Sequence, residues 1–179
     1  IDNISQWWIR RSRDRFANGD HDALQTLYAT MVLFSKTFAP QMPFLTEEIY
    51  QNLVVNAGIK DSEESVHLEK YPEFEEKDIN RELLEKMSLA RQICSNGLQA
   101  REISKISLRQ PLSKAYIAVD DEYIMSVVKE ELNLKEVFFS KEIYEGEGII
   151  TVGENEFIVS LDTNMTDELK NEGIINDFL

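Results

Sequence analysis

The chain has 179 residues, of which 42% are apolar and 29% charged, enough for one ordinary globular domain or two small ones and far from the composition of a disordered segment. No run approaches the ~18 apolar residues of a membrane helix; a lone Cys94 excludes an internal disulfide, and with only His21 and His67 beside it no zinc-ligand spacing forms. The net charge of −14 argues against nucleic acid as a partner unless cations are concentrated locally.

They are concentrated at the start. Residues 1–15 hold Arg10, Arg11, Arg13 and Arg15 against Asp2 and Asp14, a basic island on an acidic protein. Residues 3–17 predict a helix that Asn18-Gly19 stops, since Gly is the usual residue just past a helix end. At 100° per residue Ile4, Trp8, Ile9, Ser12 and Phe16 share one arc, a buried stripe. Trp7, Arg10, Arg11 and Asp14 fall on the opposite side, so one large ring lies outside the stripe, flanked by two guanidiniums.

Residues 22–38 predict a second helix, apolar around most of its circumference and therefore surrounded by others. Pro40 and Pro43 break it. Thr46 offers an N-cap, with Glu47 and Glu48 in the first turn of a third helix over about 46–57, ended by Gly58. Residues 58–74 read as a solvated loop. A fourth helix over about 75–100 carries the stripe Ile79, Leu83, Met87, Ala90, Cys94 and Leu98, with Glu73, Glu75, Glu76 and Asp78 at its N-terminal end. Four helices with mostly short connections pack naturally as an antiparallel bundle.

After residue 101 the pattern changes. Lys105-Ile106-Ser107-Leu108-Arg109 alternates with period two, and strand-rich runs follow at 115–119, 137–139, 148–152 and 156–159. One helix, about 121–132, interrupts them, and Thr166 starts a last one at Asp167. The fold class expected is mostly α: an antiparallel four-helix bundle over 1–101 followed by a small α+β appendage over 102–179. The first residues, Ile1-Asp2-Asn3, show neither a signal peptide nor an initiating Met, and the chain stops at Leu179 without a terminating signal, so it reads as a piece of a longer cytoplasmic protein.

Several segments resemble the isoleucyl-tRNA synthetases. Trp7-Trp8-Ile9-Arg10-Arg11-Ser12-Arg13-Asp14-Arg15-Phe16 is similar to the basic helix that opens their anticodon-binding bundle. Ala39-Pro40 with Pro43-Phe44-Leu45-Thr46-Glu47-Glu48-Ile49-Tyr50, and Ser65-Val66-His67-Leu68 with Pro72, resemble segments shared by the isoleucyl, valyl and leucyl enzymes. Ser107-Leu108-Arg109-Gln110-Pro111-Leu112 and Glu130-Glu131-Leu132-Asn133-Leu134-Lys135-Glu136-Val137 favour the isoleucyl group over a valyl-type alternative. The resemblance implies a class I ligase that uses ATP and Mg in a catalytic domain outside this chain, makes isoleucyl-adenylate and charges isoleucine tRNA. The partners implied are the anticodon stem-loop of that tRNA and the catalytic body of the same chain, with no membrane and a monomeric state.

No adenylate chemistry is expected within these residues, which carry no Gly-rich phosphate cradle or His pair. Lys86-Met87-Ser88-Leu89-Ala90 looks like the family's second signature but lacks the second Lys and lies in an amphipathic helix. RNA contact is therefore assigned to Arg10, Arg11 and Arg13, then to Trp7, Arg15 and Lys105; Arg109 shares a face with Lys105 on the expected strand. Bland alternatives stand beside each. Arginine is a good helix former, Arg10 can pair with Asp14, and Trp7 can pack against the catalytic body as readily as it stacks on a base. Trp8 and Cys94 read as core and His67 as a structural hydrogen-bonding group. A rival from another class is a helical protein–protein module that uses the acidic surface.

Overall fold

The computed structural model describes residues 3–74, 76–142 and 146–178, which form two compact units, Ile1–Asp78 and Ile79–Leu179. The first begins with a π-helical turn, Asn3–Ile9, that runs through Arg10 and Arg11 into α1, Arg13–Ala17. Gly19, at φ +70°, ends α1: its N–H donates to Phe16 O and the N–H of Asp20 to Arg15 O, the double bond of a Schellman turn. Asp20 then caps α2, His21–Phe38, by accepting from the N–H groups of Asp22 and Ala23.

α3, Pro43–Tyr50, starts three residues earlier than expected, with Pro43 in the first turn, where a missing N–H costs nothing. Thr46 is therefore not a cap. It is fully buried inside the helix and its hydroxyl donates back to Met42 O at 2.8 Å. The helix continues in π geometry over Gln51–Val55 and ends before Gly58, at φ +68°. α2 packs on α3, and the core beneath them is Ala39, Tyr50, Val54 and Val66, with Val32, Leu53 and Val55 against it.

The segment after α3 is irregular, as its composition suggests, but it is clasped to the helices. Glu47 Oε2 accepts from Ser65 Oγ at 2.8 Å and Val66 N at 3.0 Å, while Oε1 accepts from Gln51 Nε2. Tyr50 donates to Glu69 Oε1 at 2.5 Å and to Glu63 O, and Lys36 Nζ lies 3.0 Å from the other Glu69 oxygen. Burial pulls the Glu47 carboxyl upward, yet the bonds from Gln51, Ser65 and Val66 outweigh it and hold it below the ordinary range. The Tyr50 hydroxyl holds Glu69 down, and burial with that same carboxylate pushes Tyr50 up to about 12.

The second unit contains α4 (Arg81–Ile103), β1 (Leu112–Ile117), α5 (Glu122–Glu131), β2 (Leu134–Phe139), β3 (Ile149–Val152), β4 (Val159–Asp162) and α6 (Asp167–Phe178). The sheet runs β2-β1-β4-β3, with β1 parallel to β2 across the α5 crossover and β4 antiparallel to β1 and β3. Ala115 and Ile117 of β1 pair with Leu161 and Val159 of β4, and all four are fully buried.

The expected antiparallel four-helix bundle does not form. α4 belongs to the second unit and packs on β3, β4 and α5. Its buried positions are Ala90, Ile93, Cys94, Gly97, Ala100 and Arg101, whereas Leu83 and Leu98 of the expected stripe are exposed. The reason is steric. α4 lies against β3, β4 and α5 with its small residues Ala90, Gly97 and Ala100 on the buried side, and a Cβ on Gly97 would collide with Leu132 at the end of α5. Asn80 caps α4 through Leu83 N, so the helix starts later than expected; Glu76–Asp78 form a separate 3-10 turn and Glu75 lies outside the described residues.

The expected strand at 105–109 is also absent. Lys105, at φ +57°, closes α4 in a second Schellman turn: its N–H donates to Glu102 O and that of Ile106 to Arg101 O. What overrides the alternating pattern is Arg101, only 2% exposed, whose guanidinium gathers the carbonyls of Ser107, Gln110, Leu132 and Asn133. Burial pushes its pKa down to about 10, so it remains charged at neutral pH. The strand expected at 156–159 begins later, because Asn155–Phe157 forms a 3-10 turn anchored by Asn96 Nδ2 on Phe157 O at 2.8 Å.

Arg101→Leu strips the buried carbonyl of Leu132 and the partly buried carbonyls of Ser107, Gln110 and Asn133 of their donor, and a loss of about 3 kcal/mol is expected, read as a lowered urea midpoint. The clasp gives a pH signature. Glu47 and Glu69 have folded values below the ordinary 4.5, so their contribution is complete above that pH and fades as the pH falls through the folded values. The melting temperature should therefore drop on acidification below pH 4.5, and drop less steeply in Glu47→Gln.

Candidate nucleic-acid interface

Over residues 3–17 the side chains follow the wheel only in part: of the expected buried stripe Ser12 is buried, Trp8, Ile9 and Phe16 are half-buried and Ile4 is exposed, while Trp7, expected outside the stripe, is half-buried as well. On the inner side Trp8 meets Phe16 edge to face, with centroids 5.9 Å apart, and Ser12 is buried. Ser12 N is shared between Trp8 O and Ile9 O, which marks the passage from π to α geometry. On the other side Trp7 gathers two cations: the guanidinium carbons of Arg10 and Arg11 lie 5.9 Å and 5.6 Å from its ring centroid. Arg10 Nε also donates to Gln6 O at 3.0 Å. The indole N–H of Trp7 is buried and has no hydrogen-bond partner among the described residues.

The other sequence-assigned residues stand apart from this cluster. Arg13 is exposed. Arg15 Nε lies 2.8 Å from Asp20 Oδ2, so the residue braces the α1–α2 corner that Asp20 also caps. That hydrogen bond lowers the Asp20 carboxyl and raises the Arg15 guanidinium. Lys105 is exposed in the second unit, on a turn and not on a strand, and Arg109 likewise lies outside any strand.

Other recognisable segments prove to be structural. Thr46, Glu47 and Tyr50 face the core or hold Ser65, Val66 and Glu69. His67 Nε2 lies 3.9 Å from Glu47 Oε2, at the rim of that clasp. Arg101 was missed by sequence reasoning, although its place four residues after Gly97 on the buried stripe was a signal. Lys86 is paired with Glu82 and Asp121, both at 3.2 Å, on the surface of α4. Among the described residues no group of three His, Cys, Asp or Glu is arranged for a metal, and no helix is long and apolar enough to cross a membrane.

A cationic helix on an acidic body, with an aromatic ring among its guanidiniums, has the chemistry of an RNA-facing surface. Residues 1–117 match the family described as the anticodon-binding domain of tRNA ligase, and the chain belongs to that family. Its relatives include the isoleucine–tRNA ligase of Clostridium novyi, 41% identical over 150 residues that make up 80% of this chain and 14% of the relative. The isoleucine–tRNA ligases of Cutibacterium acnes and Streptomyces coelicolor are 41% and 40% identical over 75% of this chain, covering 12% and 13% of their own lengths. The chain thus spans only a small part of the relatives it matches.

The two engaged residues of the α1–α2 corner can be ranked. Asp20→Ala should lower the melting temperature more than Arg15→Ala, because it removes the ion pair and the α2 cap together. Parallel thermal melts followed by circular dichroism read the difference.

Proposed function

We propose that this chain is the anticodon-binding part of an isoleucine–tRNA ligase, and that Arg10, Arg11 and Arg13 hold the anticodon stem-loop of isoleucine tRNA by its phosphates. The observation that carries this is the cationic outer face of the first helical segment, opposite the Trp8–Phe16 contact, on a protein of net charge −14. Guanidiniums bind phosphate bidentately, and single-stranded loops expose both their phosphates and their base edges to such a surface. Trp7 belongs to the same face, Arg15 borders it, and Lys105 offers a separate backbone contact from the second unit. The similarity to isoleucine–tRNA ligases supports the choice of tRNA.

In the whole ligase this part orients the tRNA while a catalytic body on the same chain joins isoleucine to it at the expense of ATP, with Mg, in the cytoplasm. The chain itself acts as a monomeric recognition module and performs no chemistry of its own.

Titration of fluorescent isoleucine tRNA with the 179-residue chain tests this. Expected are tighter binding than to the same tRNA with an altered anticodon, and a log–log salt slope near −0.7 per phosphate contact in the single-stranded loop. Arg10→Glu with Arg11→Glu should weaken binding by about tenfold or more while the circular dichroism spectrum is retained. Full affinity in that folded variant would refute the surface; no binding of either tRNA by the wild type would favour a protein partner for the acidic faces.

A further inference from the structure

We infer that Trp7 is a positioning residue that seats the Arg10 and Arg11 guanidiniums for one phosphodiester, and not a platform on which an anticodon base stacks. The inference rests on the RNA-binding reading above and assigns Trp7 its part in it.

Base stacking needs an uncovered ring face. Both guanidinium carbons lie within 6 Å of the Trp7 centroid, the range in which a cation is held by the ring quadrupole, and the ring itself is partly buried. A base approaching the ring from the side these cations hold would displace groups that the phosphates of the same RNA require. The register explains why one ring serves two arginines. Arg10 and Arg11 follow Trp7 by three and four positions, the two spacings that share a helix surface, and they sit where the π turn of Asn3–Ile9 gives way to α geometry.

Arginine loses much rotamer freedom when it is fixed, so a guanidinium already held near its bound position gives up less on meeting a phosphate. An anionic oxygen brought to the two guanidiniums is the ligand that this pair of cations selects.

The test uses the 179-residue chain and two RNAs: the anticodon stem-loop, and the same stem-loop with its three anticodon bases removed so that only the sugar–phosphate chain remains. Trp7→Leu should weaken binding of both by roughly the same factor, about tenfold, with an unchanged salt slope because the cations are still present. Trp7→Phe, which keeps a ring without the N–H, should lose about threefold on each. In an Arg10→Gln, Arg11→Gln background Trp7→Phe should have no further effect, the non-additivity expected of a residue acting through its neighbours and not of one that merely stabilises the helix.

A loss confined to the RNA that carries its bases would mean stacking and overturn the inference, as would unchanged affinity in Trp7→Leu or full additivity with the arginine changes. Where the leucine variant loses helix content, the phenylalanine variant and its cycle decide alone. A wild-type chain that binds neither RNA would instead sink the RNA-binding reading, and this inference with it.

Discussion

The second unit is organised by one buried guanidinium. Arg101 stands at the end of α4, where the helix has run out of intrahelical donors for its last carbonyls and the chain must turn toward β1. Its nitrogens reach the loop before β1, through Ser107 and Gln110, and the turn before β2, through Leu132 and Asn133. Asn133, itself at φ +47°, reaches back to Leu108 O, and Gln110 reaches Leu169 O of α6. The segments that lead into β1 and β2 are thus both referred to a single charged group. Five directed donors on a rigid fork suit this task as no other side chain does, and main-chain oxygens let the charge stay buried.

The first unit solves a similar problem with carboxylates. Residues 58–74 have too few apolar side chains to pack by themselves, with Val66 alone among them reaching the core. Glu47 and Glu69 replace packing with directed bonds, one from α3 to the loop and one from the loop to α2 and α3. The two devices explain why the segments most recognisable in the sequence need not touch RNA. Pro43 to Tyr50 and Ser65 to Leu68 hold irregular backbone in the first unit, as the runs around Gln110 and Asn133 do in the second.

Local signals were legible where a single residue decides the outcome. Gly19 ends α1 because only a positive φ closes that turn, and Trp8 and Phe16 meet because helical spacing puts them on one arc. The grouping of Trp7 with Arg10 and Arg11 follows from the same wheel. Periodicity could not say what would cover a buried stripe, so α4 was assigned to a bundle when it packs on β3, β4 and α5. Nor could alternation at 105–109 reveal that Arg101 would claim the carbonyls there. Arg15 looked like its neighbours in the sequence, and only the turn at Gly19 brings Asp20 round to engage it.

β1 is an interior strand, hydrogen-bonded to β2 on one side and to β4 on the other. The match to the family ends at residue 117, the last residue of that strand, although the isoleucine–tRNA ligases align over as many as 150 residues. The stretch matched by the family and the compact unit that holds the whole sheet are therefore different lengths of chain. A polypeptide trimmed at the limit of similarity would keep β1 with both of its edges bare and Ala115 and Ile117 uncovered, a template for adhesion between copies. A cut that leaves the sheet whole therefore lies beyond β4 and not at the border of the family match.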